Sequence, residues 1–155
     1  MAAVVNNSTR WTFVLDEPTR ILVVDDDPIL REFAVVHLAS PAASIDTVPD
    51  GAAARVEIRR NAYDVVLLDI EMPHLDGFSL LKEIRSDENF RHLPVIMLTS
   101  HDDMASIDKS YQCGATSFAT KPVNWRQLSY QIRSIVQAAR ARSDQLEPTP
   151  AELAK

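Results

Sequence analysis

The sequence predicts an α/β fold: a doubly wound, five-stranded parallel sheet with helices on both faces. Three observations predict it. The short apolar runs Ile21–Val24, Val65–Leu68 and Val95–Leu98 are uninterrupted, the pattern of strands buried on both faces rather than on one. Segments with helical spacing separate these runs, so right-handed crossovers place helices on either side of the sheet. Each run ends on Asp25, Asp69 or Thr99, at the sheet edge where open α/β folds bind ligands.

Residues 1–19 hold no sustained period, and Asp16-Glu17-Pro18 breaks the chain. They read as an N-terminal extension, in which Trp11, Phe13 and Leu15 alternate as in a short added strand or a docked arm. After the run at 21–24, Asp27 caps a helix whose first position is Pro28. Residues 28–39 carry Ile29, Phe33 and Val36 at helical spacing, and Ser40-Pro41 stops them. Residues 43–48 alternate weakly and read as an outer strand. Asp50-Gly51 opens a helix through about Arg60, with Ala52 and Val56 inward, Arg55 and Arg59 outward, and Asn61 as its C-terminal cap.

The central strand runs straight into Asp69. Pro73 forbids its continuation, and Asp76-Gly77 starts a helix over 76–86 with Leu80 and Ile84 four apart. Residues 87–93 are a polar connection to the strand at 95–98. Residues 102–113 make a short helix with Met104, Ile107 and Tyr111 on one face, closed by Gly114. A brief strand at Thr116–Ala119 leads to Lys121-Pro122, a candidate cis peptide. Asn124 caps the last helix, 125–141, whose inward stripe is Leu128, Ile132, Ile135 and Ala139. Residues 142–155 contain Pro148 and Pro150 and read as a flexible tail or the start of a linker. A flavodoxin-like strand order, 2-1-3-4-5, puts the strands at 21–24 and 64–68 side by side at the topological switch point.

Composition bounds the function. A chain of 155 residues, 46% hydrophobic and 25% charged, suits one globular domain with tails. A net charge of -6 argues against general binding to nucleic acid or anionic membranes, though not against a local basic patch. One cysteine, Cys113, excludes an internal disulfide framework and fits a reducing compartment. Apolar stretches fall well short of the roughly 20 residues that span a bilayer. Residues 1–10 lack the pattern of a secretory signal. The expected location is the cytoplasm, without membrane insertion.

The strand ends bring Asp25, Asp26, Asp69, Thr99, Ser100 and Lys121 to one edge. Three carboxylates that close together repel one another, and a cation relieves the cost. All-oxygen ligands favour a hard ion, Mg2+ or in its place Mn2+. A Thr99 hydroxyl, a backbone N–H near Ser100 and the Lys121 ammonium add positive potential beside Asp69. Such an assembly suits a phosphoryl group attacked by an aspartate. Read singly, each acid is equally well a helix cap or a turn former. The three carboxylates with Thr99 and Lys121, all at strand C-termini, are not explained that way.

Ile21-Leu22-Val23-Val24-Asp25-Asp26-Asp27, Asp69-Ile70-Glu71-Met72-Pro73 with Asp76-Gly77, Leu98-Thr99-Ser100, and Gly114-Ala115 followed by Lys121-Pro122 closely resemble the receiver domain of bacterial two-component response regulators. The resemblance covers residues 20–141. It implies that Asp69 accepts a phosphoryl group from a phosphohistidine of a sensor histidine kinase or a histidine phosphotransfer protein. It implies that Asp26, Asp69 and the Glu71 backbone carbonyl bind Mg2+, with Asp25 acting through water. Thr99, the Ser100 N–H and Lys121 would contact the phosphoryl oxygens. Thr99 would couple to an aromatic switch three residues before the lysine, here Phe118, where the family often has tyrosine. The alternative for Phe118 is a plain core aromatic. Glu71 and His101 match sites that tune dephosphorylation, and a loop histidine without a role is the alternative for His101.

The last helix carries Arg126, Tyr130, Arg133, Gln137 and Arg140 opposite its apolar stripe. This is either a solvated face or the surface family members use for output contacts and homodimers. Two other functions remain to be separated from signalling. One is an Mg2+-dependent aspartyl-phosphate phosphohydrolase, which needs a substrate pocket or cap that five short loops do not offer. The other is a degenerate receiver that acts only as a binding module. Residues 117–142 resemble the receiver end of regulators that carry a diguanylate cyclase domain next, so both a stand-alone receiver and a receiver with such a downstream domain are expected forms.

Overall fold

The computed structural model describes residues 13–73, 75–100 and 103–146 of the 155. Its five strands are β1 (Thr19–Val24), β2 (Ala43–Val48), β3 (Val65–Asp69), β4 (Val95–Thr99) and β5 (Ser117–Thr120). Its five helices are α1 (Pro28–Leu38), α2 (Gly51–Arg60), α3 (Gly77–Ser86), α4 (Met104–Gln112) and α5 (Trp125–Leu146). All strand pairs are parallel, in the order β2-β1-β3-β4-β5. This is the doubly wound, flavodoxin-like fold, and β1 lies beside β3 with Val24 opposite Leu68.

The strand pattern explains the layers. Successive side chains of a strand point to opposite faces. Ile21, Val23, Val65, Leu67, Ile96 and Leu98 therefore pack on one side, with Ala34 and Leu38 of α1 and Leu128, Ile132 and Val136 of α5. Leu22, Val24, Val66, Leu68 and Met97 pack on the other, with Ala54 and Ile58 of α2 and Leu80, Leu81 and Ile84 of α3. Truncating one of the buried leucines or isoleucines to alanine costs about 2–5 kcal/mol. Helix α4 starts at Met104, two residues past the expected 102, and the others start at the caps the sequence marks. Asp27, Asp50, Asp76 and Asp103 each accept a backbone N–H from the first turn of the helix they precede. The Lys121-Pro122 peptide is cis, and Gly114 takes a φ of 101° after α4.

Helix faces differ from expectation more than strands do. On α1, Ile29, Phe33 and Val36 face solvent, at 62%, 50% and 74% exposure; Ala34 and Leu38 are the buried residues. Both sets have helical spacing, and the smaller alanine is the one that lets the helix approach the sheet. On α2, Ala52 and Val56 are exposed, and Ala54 and Ile58 point inward. On α4 the expected stripe is largely open: Met104 and Tyr111 are exposed and Ser110 is the buried position. Contacts that hold α4 come from Lys109 over the Phe78 ring at 4.5 Å and from Tyr111 edge-on to Phe118 at 6.1 Å. Helix α5 continues to Leu146, five residues past the expected end at 141.

The arm forms no strand among the described residues. Val14 and Leu15 are buried, and the Leu15 carbonyl accepts a hydrogen bond from Ser40 Oγ at 2.6 Å. Arg140 donates to the Pro18 carbonyl and pairs with Glu17 and Asp64. Trp11 lies outside the described residues. No helix among the described residues is long and apolar enough to cross a membrane.

Candidate functional site

β1 and β3 end side by side, and an aspartate stands at the end of each. Past Val24 the backbone continues for one more sheet bond, Asp25 N–H to the Val48 carbonyl at 3.2 Å, and then turns into α1. The Asp25 carboxylate is fully buried. Its Oδ1 accepts the Asp27 N–H at 2.9 Å, and its Oδ2 lies 2.8 Å from Lys121 Nζ. Asp26, the next residue, is exposed at the mouth.

Asp69 is the last residue of β3 and only 3% exposed. Its Oδ1 lies 3.1 Å from Lys121 Nζ and accepts the Glu71 N–H at 3.3 Å. The turn behind it is set by Gly77, whose N–H donates to the Ile70 carbonyl at 2.9 Å. A Cβ at Gly77 would collide with the Asp69 carbonyl oxygen and crowd the Ile70 Cα. Glycine at 77 is thus what lets α3 start directly behind the acidic residue. The sequence marks Gly77 as a helix start and as part of the family motif; the close approach to the Asp69 carbonyl needs the third dimension.

Asp25, Asp26 and Asp69 each offer a carboxylate oxygen, and the three oxygens lie within 4.8 Å of one another. Burial, and then the Asp25 charge, push the Asp69 carboxyl up to about 6; Lys121 opposes the shift. Burial pulls the Lys121 ammonium down, but Asp25 and Asp69 outweigh it and hold the group above its ordinary value. A lysine shared between two acids therefore stays charged, while one acid sits in an unfavourable field. The donor set is all oxygen and the spacing is that of a chelate, so the cluster can hold a hard metal ion.

The remaining sequence-predicted residues divide into four groups. Thr99 ends β4 and is buried, its carbonyl accepting the Lys121 N–H at 2.7 Å, and Ser100 follows it exposed. The main chain thus places Lys121 directly from the strand end that carries Thr99. Phe118 is half-buried on β5, packed against the α2/α3-side core and Tyr111. Glu71 is exposed two residues beyond Asp69, and His101 lies outside the described residues. On α5, Arg126, Tyr130 and Arg133 are exposed, with Arg126 over the Tyr130 ring at 5.8 Å. Arg140 does not join them, because it is engaged by the arm and Asp64.

A cleft of about 890 Å3 opens at the opposite end of the sheet. Its lining includes Asp64 and Pro94, just ahead of β3 and β4, and Arg142 of α5. It is remote from the strand ends that carry Asp25 and Asp69.

Comparison with known proteins gives a consistent result. Residues 21–133 match the model of the response regulator receiver domain family. The chain is 33% identical over 120 residues to the transcriptional regulatory protein CseB of Streptomyces avermitilis, covering 77% of this chain and 50% of that one. It is 33% identical over 116 residues to the response regulator PleD of Caulobacter vibrioides, covering 75% of this chain and 26% of PleD. The chain thus spans half or less of the length of these curated relatives. Among solved structures, the receiver domain of the Francisella response regulator 1452 superposes with a TM-score of 0.72 at 30% identity, over 77% of this chain and 98% of that one. Vibrio cholerae chemotaxis protein CheY4 gives 0.72 at 25% identity, over 76% and 98%.

Proposed function

The chain belongs to the response regulator receiver domain family, and on that premise we propose that Asp69 is its phosphoacceptor. The observation that carries this is the placement of Lys121 Nζ within 3.1 Å of Asp69 and 2.8 Å of Asp25, at the mouth of the acidic cluster. An Asp69 oxygen attacks the phosphorus of a phosphohistidine. The P–N bond breaks as the O–P bond forms, and the imidazole leaves with a proton. The Lys121 ammonium, already beside the attacking oxygen, neutralises the phosphoryl oxygens, joined by the Thr99 hydroxyl and the Ser100 N–H. Asp26, Asp69 and the Glu71 main-chain carbonyl would hold Mg2+, with Asp25 acting through water, and the ion would supply the remaining charge neutralisation. Hydrolysis of the acyl phosphate resets Asp69, and Glu71 and His101 tune the attacking water.

The readout runs along β4 and β5. Thr99 turns toward the phosphoryl group, Phe118 repacks beneath Tyr111, and the surface bearing Arg126, Tyr130 and Arg133 changes what it binds, a second copy of the chain included. Phenylalanine at 118 carries no hydroxyl, so this switch works through packing alone. The phosphoryl donor is a sensor histidine kinase or phosphotransfer protein. The exposed apolar face of α1, which starts beside Asp26, suits such a partner. The domain catalyses only its own phosphorylation and dephosphorylation, within residues 20–141. Incubation with acetyl phosphate and Mg2+ tests the assignment: the protein should gain one phosphoryl group, mapped to Asp69 by mass spectrometry. Labelling that persists in Asp69→Asn refutes it. Turnover of varied phosphomonoesters would favour a phosphohydrolase instead.

A further inference from the structure

We propose that Arg31 is a positioning residue for the divalent cation, holding the Asp25–Asp26 peptide so that the Asp26 carboxylate faces Asp69. The inference rests on the reading that Asp25, Asp26 and Asp69 hold that cation. The Asp26 carboxylate has no hydrogen-bond or ion-pair partner among the described residues. With no such partner, the backbone that carries it fixes its Cβ and so the region the carboxylate can reach. The sheet ladder that fixes this backbone ends at Val24, which pairs with Val48 on one side and Leu68 on the other. Beyond it, the Asp25 N–H still reaches the Val48 carbonyl, but the Asp25 carbonyl has left the ladder. Arg31 takes that carbonyl up: Nη1 donates to Asp25 O at 2.7 Å. A peptide unit is planar, so fixing this oxygen fixes the orientation of the Asp26 N–H and Cα as well. Arg31 is itself anchored one turn into α1, where its own N–H donates to the Asp27 carbonyl at 3.1 Å. The Asp27 cap and Arg31 thus hold both ends of the segment that presents Asp26.

The electrostatics point the same way. Among the described residues, Arg31 forms no ion pair with a carboxylate; its side chain reaches the Asp25 main-chain carbonyl instead. A cation beside the cluster opposes binding of a second cation. What Arg31 offers the cluster is therefore its hydrogen bond to the Asp25 carbonyl rather than its charge. This yields a test in which position and charge predict opposite signs.

Mg2+ alone is titrated by calorimetry into the full chain and into Arg31→Met, at fixed ionic strength, with melting in EDTA measured in parallel. Arg31→Met should bind Mg2+ about 10-fold more weakly, the usual effect of losing a residue that orients a ligand. Arg31→Lys, which keeps a donor, should stay within about 3-fold of the parent. Arg31→Gln, whose amide falls short of the carbonyl, replaces the methionine variant if the latter does not fold, with the same expectation. Unchanged or tighter Mg2+ binding by the variant lacking the donor overturns the inference while leaving the metal site intact. A parent chain that binds no Mg2+ overturns the metal-site reading and this inference with it.

Discussion

Replacing Asp69 by asparagine should stabilise the metal-free protein at neutral pH, although it removes the residue on which the function depends. The size of the gain follows from the site. Burial and the neighbouring Asp25 hold the Asp69 carboxyl at about 6 rather than 3.8, a shift of about two units. Each unit corresponds to about 1.4 kcal/mol of differential interaction, so the ionised group costs the fold about 3 kcal/mol. Between these two values the folded state binds the extra proton. Stability therefore falls as pH rises from about 4 to about 6, and the full loss is present above that. Asparagine cannot ionise and removes this dependence. The Lys121 shift is upward, so its contribution is present throughout this window and is lost only at alkaline pH. For a domain of this size, 3 kcal/mol corresponds to a rise in Tm of roughly 10 °C. Thermal melts in EDTA from pH 4 to pH 8 should show parent and Asp69→Asn converging at the acid end and separating above about pH 5. Saturating Mg2+ should narrow the gap, since it stabilises the parent by mass action. An asparagine variant no more stable than the parent at pH 7.5 in EDTA would refute the reasoning, as would a gain of equal size at pH 4.

Other consequences are equally direct. Gly77→Ala should cost about 1–3 kcal/mol and slow labelling by acetyl phosphate, because the added methyl pushes on the Asp69 carbonyl. Gly51→Ala should cost less, since it meets only the movable end of Leu75; chemical melts of the two variants make the comparison. Ile29→Ser and Val36→Ser on α1 should change stability by less than about 0.5 kcal/mol, since both side chains are mostly exposed. The same pair should slow transfer from a phosphohistidine partner while leaving acetyl phosphate labelling unchanged, which stopped-flow or gel-based transfer assays would show. Arg140→Ala should cost about 1 kcal/mol and accelerate amide hydrogen exchange in the arm around Leu15, because Arg140 ties Glu17 and Pro18 to Asp64.

Strands and strand ends were legible because each is decided locally. A run such as Val65–Leu68 has no polar position to present to water, so it goes inside whichever way the chain folds. Once the strands are parallel neighbours, Asp25, Asp69, Thr99 and Lys121 must converge. Helix faces lack that property. On α1, the set Ile29, Phe33 and Val36 and the set Ala34 and Leu38 share one period, and the period does not say which set meets the sheet. Hydrophobicity alone favours the first set, and the structure buries the second. The reason lies in the partner surface: a sheet face filled by Ile21, Val23 and Leu67 leaves room for a small residue at the point of closest approach. The larger residues, displaced outward, form an apolar strip that begins beside Asp26. The close approach at Gly77 and the reach of Arg31 were hidden for a related reason. Each acts on a main-chain carbonyl, of Asp69 and Asp25 respectively, and a carbonyl leaves no mark in a sequence. The residues that carry the chemistry are visible as letters, whereas those that aim it work through the backbone, which the letters do not record.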